Sequence, residues 1–98
     1  MNIQHTSTDR GGKFFLGDPG SPTAELVYRM AGLHKMIIDH TEVTAVHKGE
    51  GIGKQLVAEA VNFAREHQLK IFPLCPFARA ILEKTPEYAD ILAAPANN

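Results

Sequence analysis

The stretch Lys48-Gly49-Glu50-Gly51-Ile52-Gly53-Lys54 decides how this chain folds. It carries three glycines at alternate positions, between an apolar extended segment and the longest helical pattern in the chain. A glycine-rich turn that opens a helix offers unpaired backbone N–H groups and the positive end of the helix dipole to an anion. We therefore predict that this turn holds the pyrophosphate of a cofactor.

The residues after the turn have the spacing of an amphipathic helix that runs to about His67. Their apolar stripe consists of Ile52, Leu56, Val57, Ala60, Val61 and Ala64. A short buried strand is expected over residues 70–75, followed by a second helix over residues 76–84 that Thr85-Pro86 ends. Strand, turn, helix and strand form a βαβ unit, in which the two strands are parallel and the crossover is right-handed.

Three strands are expected before the turn, at residues 13–16, 23–30 and 35–43. Their short connections indicate an antiparallel meander, and the continuously apolar start of the third strand favours a central place for it. We expect a flexible N-terminal segment at residues 1–12, one α/β domain over residues 13–92 and a loose C-terminal tail at 93–98. The sheet is predicted to be mixed, with two main helices.

Composition excludes several classes of function. The chain has 98 residues and a formal net charge of -1, which does not suit a protein built to neutralise nucleic-acid phosphates. No apolar run approaches the roughly 20 residues that span a bilayer, and the first residues lack the apolar core of a signal peptide. The single cysteine cannot form an internal disulfide, and the histidines show no metal-ligand spacing. We expect a cytoplasmic monomer or weak dimer without a metal, a membrane or a nucleic-acid partner.

Three phosphate-binding motifs compete for the glycine turn. A nucleotide triphosphate loop fails, because Gly49 and Gly53 have three residues between them rather than four and Gln55 stands where Ser or Thr is needed. A dinucleotide fingerprint needs a third glycine where this chain has Lys54. The spacing of Lys48, Gly51 and Gly53 fits the acetyl-CoA turn, in which a basic or amide residue precedes two glycines.

At this point the chain resembles the GNAT acetyltransferases, over residues 13–84. The surrounding segments His40-Thr41-Glu42-Val43 and Pro73-Leu74-Cys75-Pro76-Phe77-Ala78 are similar to those of a short GNAT-like group. The resemblance implies acetyl-CoA as cosubstrate and a small-molecule or protein amine as acceptor. It also implies a set of cofactor-binding positions: Val43, Lys48, Gly49, Glu50, Gly51, Ile52, Gly53, Lys54, Gln55, Pro76 and Phe77.

The chain also departs from the usual GNAT pattern. The strand and two helices that normally help to form the acceptor site are missing before the meander, and further strands are missing after the last helix. The usual late tyrosine that protonates the leaving thiolate would fall near Leu82, which cannot do so. A non-catalytic module that senses or holds acyl-CoA is therefore the alternative to an enzyme. A small interaction domain, in which the turn only starts a helix, is a third possibility.

The acetyl group is expected to pass to the amine either directly or through Cys75, and three side chains are candidates for this chemistry. Cys75 ends a strand just before a helix, whose N–H groups could stabilise a thiolate that accepts the acetyl group. The alternative is that Cys75 is simply a buried apolar residue. His40 lies near the end of the central strand, and it could deprotonate Cys75 or an incoming amine, or only pack against the sheet. Glu42 shares the strand face of His40 by alternation and is a weaker candidate base.

Overall fold

The computed structural model describes residues 2–47 and 49–93 as an α/β fold. Its five-stranded sheet has the order β1-β2-β3-β4-β5, with bounds Gln4–Thr8, Gly11–Asp18, Ser21–Met30, Lys35–Val43 and Lys70–Pro73. The first four strands are antiparallel neighbours, and β4 pairs with β5 in parallel. The helices are α1 (Ile52–Glu66) and α2 (Pro76–Lys84), with short 3-10 helices at Ala45–His47 and Pro86–Tyr88. The predicted mixed sheet and βαβ unit are confirmed.

Strand β1 corrects the expectation that the N-terminal segment is flexible. Every residue of β1 is exposed, so its sequence lacks the apolar alternation by which strands are recognised. The strand is held by its backbone pairing with β2 and by His5, whose ring stacks on Phe14 at a centroid distance of 4.1 Å. The His5 Nε2 atom also lies 2.6 Å from the hydroxyl of Tyr28.

The two faces of the sheet have different surroundings. Leu26 of β3 and Ile38 of β4 lie on the face that packs against Leu56 and Val57 of α1 in one buried cluster. The neighbouring positions along β3 face the other way, toward a side of the sheet that carries no described helix. Helices therefore cover one face of this sheet and leave the other open.

A β-bulge at Asp39 interrupts the alternation of β4. Tyr28 pairs with Ile38 and Val27 pairs with His40, so Asp39 is an extra residue on the β4 side. Beyond the bulge Thr41 pairs with Leu26, which places Thr41 on the helix-covered face together with Ile38. Without the bulge, positions 38 and 41 would face opposite sides of the sheet.

The chain returns to the sheet after the last helix. Ile71 of β5 forms a parallel bridge with Leu92, and its N–H donates to the carbonyl of Ile91 over 2.8 Å. This contact covers part of the outer edge of β5, where the sequence analysis expected no further strand. None of the described helices is both long and apolar enough to cross a membrane.

Candidate active site

The parallel strands β4 and β5 part company after Ile38 and Pro73. These two residues are the last pair in the register, and β4 continues for five more residues to Val43. The carbonyl of Ile38 accepts hydrogen bonds from the N–H groups of Leu74 (3.0 Å) and Cys75 (3.3 Å), so the chain turns away from β4 at this point. The gap beyond the carboxyl ends of parallel strands is where α/β proteins usually bind ligands.

Cys75 lies beside this gap, in the residue that precedes α2. Its side chain is 6% exposed and belongs to the buried cluster on the helix-covered face. The hydroxyl of Thr41 is buried on the same face, and it has no hydrogen-bond partner within residues 2–47 and 49–93. A hydroxyl in that position is free to donate to Cys75 when the thiol loses its proton.

The surroundings of Cys75 favour its thiolate. Burial raises the pKa of the thiol, but the donors that face its sulfur outweigh that effect and lower the pKa of Cys75 below its usual value; they are the Ala78 N–H, the Thr41 hydroxyl, the Phe77 N–H and the Thr41 N–H. Two of these donors are N–H groups in the first turn of α2, which have no partner inside the helix. A thiolate is the reactive form of cysteine, so this site is suited to nucleophilic chemistry.

His40 lies on the open face of the sheet, on the other side from Cys75. Its Nε2 atom is 3.4 Å from a carboxylate oxygen of Glu25, and its side chain is 54% exposed. Glu42 lies beside this pair: a ring nitrogen of His40 and one carboxylate oxygen each of Glu25 and Glu42 all lie within 4.8 Å of one another. The structure therefore places His40 with Glu25 and Glu42, as strand alternation predicts for Glu42, and not beside Cys75.

The glycine turn has the backbone geometry of an anion site. Gly49 and Gly51 have φ angles of 83° and 72°, which side-chain-bearing residues rarely adopt, and a Cβ atom at either position would meet nothing within 4 Å. The first intrahelical bond runs from the Gln55 N–H to the Gly51 carbonyl, which leaves the N–H groups before Gln55 without a partner inside α1. The N–H of Glu50 instead donates to the carbonyl of His47.

A groove of about 510 Å³ connects the turn with the end of β4. Pockets of roughly 300–1,000 Å³ are typical of small-molecule sites. The lining of the groove includes Val43, His47 and the predicted positions Gly49, Gly51, Ile52, Gly53, Lys54 and Phe77. Gln55 is exposed in the first turn of α1 and Pro76 is exposed in the first turn of α2, while Lys48 lies outside the described residues.

Phe77 separates this groove from a second one. The ring is 45% exposed and lies against Gly53, and both Phe77 and Lys54 line both grooves. The second groove, of about 470 Å³, runs between α1 and α2 toward Lys84 and Tyr88. It adds an apolar floor and a second lysine on the far side of Phe77.

Sequence reasoning missed three residues of this region. Thr41 faces Cys75 only because of the bulge at Asp39. Strict alternation along β4 would have placed Thr41 on the open face of the sheet. Glu25 of β3 contacts His40 of the neighbouring strand β4. Thr23 contacts His47 over 2.9 Å, although the two residues are 24 positions apart in the sequence. Leu82 is buried, and Tyr88 is half-buried against the core.

This chain is similar in sequence to known proteins. Residues 13–91 match the sequence model of the family described as GCN5-related N-acetyl-transferase. Protein NATD1 of chicken (Gallus gallus) and mouse (Mus musculus) is 32% identical over 63 residues, or 64% of this chain. The match spans 57% of the NATD1 length, a little more than half of those relatives.

Two solved structures are similar to this fold. The solution structure of a GCN5-like protein from Staphylococcus aureus has a TM-score of 0.78 and 35% sequence identity, and covers 99% of this chain and 92% of its own. A ribosomal-protein-alanine N-acetyltransferase from Brucella melitensis biovar Abortus 2308 has a TM-score of 0.64 at 21% identity. The superposition covers 90% of this chain and 65% of the Brucella chain. The second similarity concerns the fold alone.

Proposed function

Because this chain belongs to the GCN5-related N-acetyltransferase family, we propose that it binds acetyl-CoA and transfers the acetyl group to an amine through Cys75. The observation that carries the proposal is the position of Cys75 at the gap between β4 and β5 with a lowered pKa, while a groove runs from the end of β4 to the glycine turn.

The groove at the turn suits the phosphate-rich part of CoA. The N–H groups of Gly51, Ile52, Gly53 and Lys54 precede the first intrahelical bond, so they are available to the pyrophosphate, whose charge the helix dipole favours. The pantetheine arm would lie in the gap along β4, toward Val43. In this part of β4, after Ile38, strand β5 no longer pairs with its outer edge. The second groove, with Lys84, offers room and positive charge for the nucleotide end.

Acetyl transfer to the enzyme would begin with the Cys75 thiolate. Its Sγ atom attacks the carbonyl carbon of the thioester, a C–S bond to Cys75 forms, and the C–S bond to CoA breaks with CoA leaving as a thiolate. The four donors around Cys75 favour the ionised sulfur before attack and receive the charge again when the acetyl group departs.

Transfer to the acceptor would take place from the open face. We expect an amine to approach the acetyl group from the side of the sheet opposite to α1, where His40 lies. The amine nitrogen forms the amide bond, Cys75 leaves as a thiolate, and His40 takes the proton with Glu25 supporting the protonated ring. Of the two roles considered for His40, its position favours deprotonation of the amine.

Intact mass measurement tests this proposal directly. Wild type incubated with acetyl-CoA should gain one acetyl group, and Cys75→Ala should gain none, while Cys75→Ser serves as the control of similar shape. Turnover should then be screened with a panel of amines. If Cys75→Ala still turns over amines, the acetyl group passes directly from CoA and the covalent step is wrong.

The alternative is a module that holds or senses acyl-CoA without turnover. The open face of the sheet favours it, since no described element covers the side from which an acceptor would come. Calorimetry that detects CoA binding, together with no turnover of any amine and no acetylated Cys75, would support the sensor. An absence of CoA binding would contradict both functions.

A further inference from the structure

His47 bridges the glycine turn and the sheet with its two ring nitrogens. Its Nε2 atom lies 2.9 Å from the hydroxyl oxygen of Thr23, near the start of β3. Its Nδ1 atom lies 3.0 Å from a carboxylate oxygen of Glu50, inside the turn. The His47 side chain is only 18% exposed, so the ring is enclosed between the two partners rather than free in solvent.

Backbone hydrogen bonds follow the same path. The N–H of Thr44 donates to the carbonyl of Thr23 over 3.0 Å, and the N–H of Glu50 donates to the carbonyl of His47 over 3.1 Å. The 3-10 helix Ala45–His47 that lies between them contains no buried residue. Because hydrophobic packing does not anchor this segment, polar contacts must set where the turn stands relative to β3 and β4.

The carboxylate of Glu50 is the unfavourable group of the turn. It stands two residues before the start of α1, among the N–H groups proposed for the pyrophosphate, and a negative charge there repels a second anion. The bond to His47 fixes this carboxylate at one place. It thereby limits the positions from which Glu50 can oppose the ligand.

We propose that His47 is a positioning residue for acetyl-CoA: through Thr23 it fastens the pyrophosphate turn to β3, and through Glu50 it restrains the one carboxylate of that turn. The inference rests on the proposed function, because it concerns how that function's ligand is held. It adds the Thr23–His47–Glu50 chain to the residues that determine affinity, although Thr23 is not among those that line the groove.

The effect should depend on the part of the ligand that carries phosphate. We therefore compare CoA with acetyl-pantetheine, which has the reactive arm but no pyrophosphate, by NMR titration of the full chain. His47→Ala and Thr23→Val should each weaken CoA binding by about tenfold, as expected for the loss of a hydrogen bond of roughly 1.4 kcal/mol. Both variants should bind acetyl-pantetheine as wild type does.

Matched variants separate the two contacts. Thr23→Ser keeps the hydroxyl and should retain wild-type affinity for CoA. The double variant His47→Ala/Thr23→Val should bind CoA no more weakly than His47→Ala alone, because Thr23 acts on the turn only through His47. Adding Glu50→Gln to His47→Ala should recover much of the lost affinity, since it removes the released negative charge.

Two outcomes would overturn the inference alone. One is a wild-type affinity for CoA in both His47→Ala and Thr23→Val. The other is an equal loss of affinity for CoA and for acetyl-pantetheine, which would indicate general loosening of the fold. If wild type binds neither CoA nor acetyl-pantetheine, the proposed function itself fails, and this inference fails with it.

Discussion

The ring of Phe77 lies so close to Gly53 that a Cβ atom at residue 53 would come within 2.3 Å of Phe77 Cζ. Gly53 is buried in the first turn of α1, and Phe77 is in the first turn of α2. The absence of a side chain at position 53 thus lets α2 place an aromatic ring over the start of α1. This contact connects the glycine turn with the segment that carries Cys75.

Gly53→Ala should therefore displace the Phe77 ring without unfolding the protein. The ring is 45% exposed and can move outward, and Ala gains about 1 kcal/mol of helix propensity over Gly, so the free energy of unfolding should change by about 1 kcal/mol or less. CoA affinity should fall, because the methyl group and the displaced ring enter the groove. Urea unfolding, NMR shifts of Phe77 and calorimetry measure these effects.

Phe77→Ala is the control, since it removes the ring but leaves the groove open at Gly53. A loss of more than about 3 kcal/mol in Gly53→Ala, at the upper end for overpacking, would show that the ring cannot yield.

Thr41→Val should make Cys75 less acidic. The Thr41 hydroxyl is one of the donors that lower the pKa of Cys75, so its removal should raise that pKa. The pH midpoint of alkylation by iodoacetamide, followed by intact mass, should rise accordingly. Thr41→Ser keeps the hydroxyl and should behave as wild type.

The same shift has a consequence for stability. The pKa of Cys75 is lower in the folded protein than in the unfolded chain, so the unfolded chain binds more protons between the two values. The contribution to stability is fully present above the unfolded pKa and disappears as the pH falls through the folded one. Equal alkylation midpoints for wild type and Thr41→Val would remove the hydroxyl from this account.

His40→Gln should separate the two halves of the proposed reaction. The acetylation of Cys75 by acetyl-CoA should proceed, because His40 lies on the other face of the sheet. Turnover with an amine should fall by about 10²–10⁴-fold, the usual effect of a lost general base, and acetylated Cys75 should accumulate. Intact mass and a CoA-release assay follow the two steps.

Glu25→Gln should show a smaller loss of the same kind, since it removes only the partner of His40. A slower acetylation of Cys75 in His40→Gln would assign His40 to the thiol after all.

His5 should make the fold less stable in acid. Burial of the ring and the neighbouring His67 lower the pKa of His5, and Glu59 raises it by less, so the native protein favours the neutral ring that contacts Phe14. The stabilising contribution is full above the unfolded pKa of 6.5 and is lost as the pH falls through the folded value. The urea concentration at the midpoint of unfolding should decrease when the pH is lowered from 7.5 to 5.

His5→Gln should show a smaller fall in midpoint than wild type. His34→Gln is the matched control, because His34 is exposed and contacts only the Gln68 carbonyl among the groups described here. An unchanged pH dependence in His5→Gln would assign the acid sensitivity to other groups.

Local pattern was sufficient for the elements that form the βαβ unit. Residues 35–43 and 76–84 are a strand and a helix with the predicted bounds, because apolar periodicity, Pro76 and Thr85-Pro86 are signals carried within each segment. Strand β1 was missed for the opposite reason: its polar residues carry no such signal, and only pairing with β2 makes it a strand. The glycine turn was predicted from the sequence because three glycines at alternate positions are a local signal.

The sequence by itself thus determined the order of β2 to β5 and of the two helices, the glycine turn and the family, since each depends on residues that are neighbours in the chain. The tertiary structure alone decided which side chains meet. One extra residue at Asp39 puts Thr41 beside Cys75 and leaves His40 on the other face, and no local pattern reveals a bulge that arises only when β3 and β4 pair. The turn is also positioned from a distance, because Thr23 reaches His47 across 24 residues of chain.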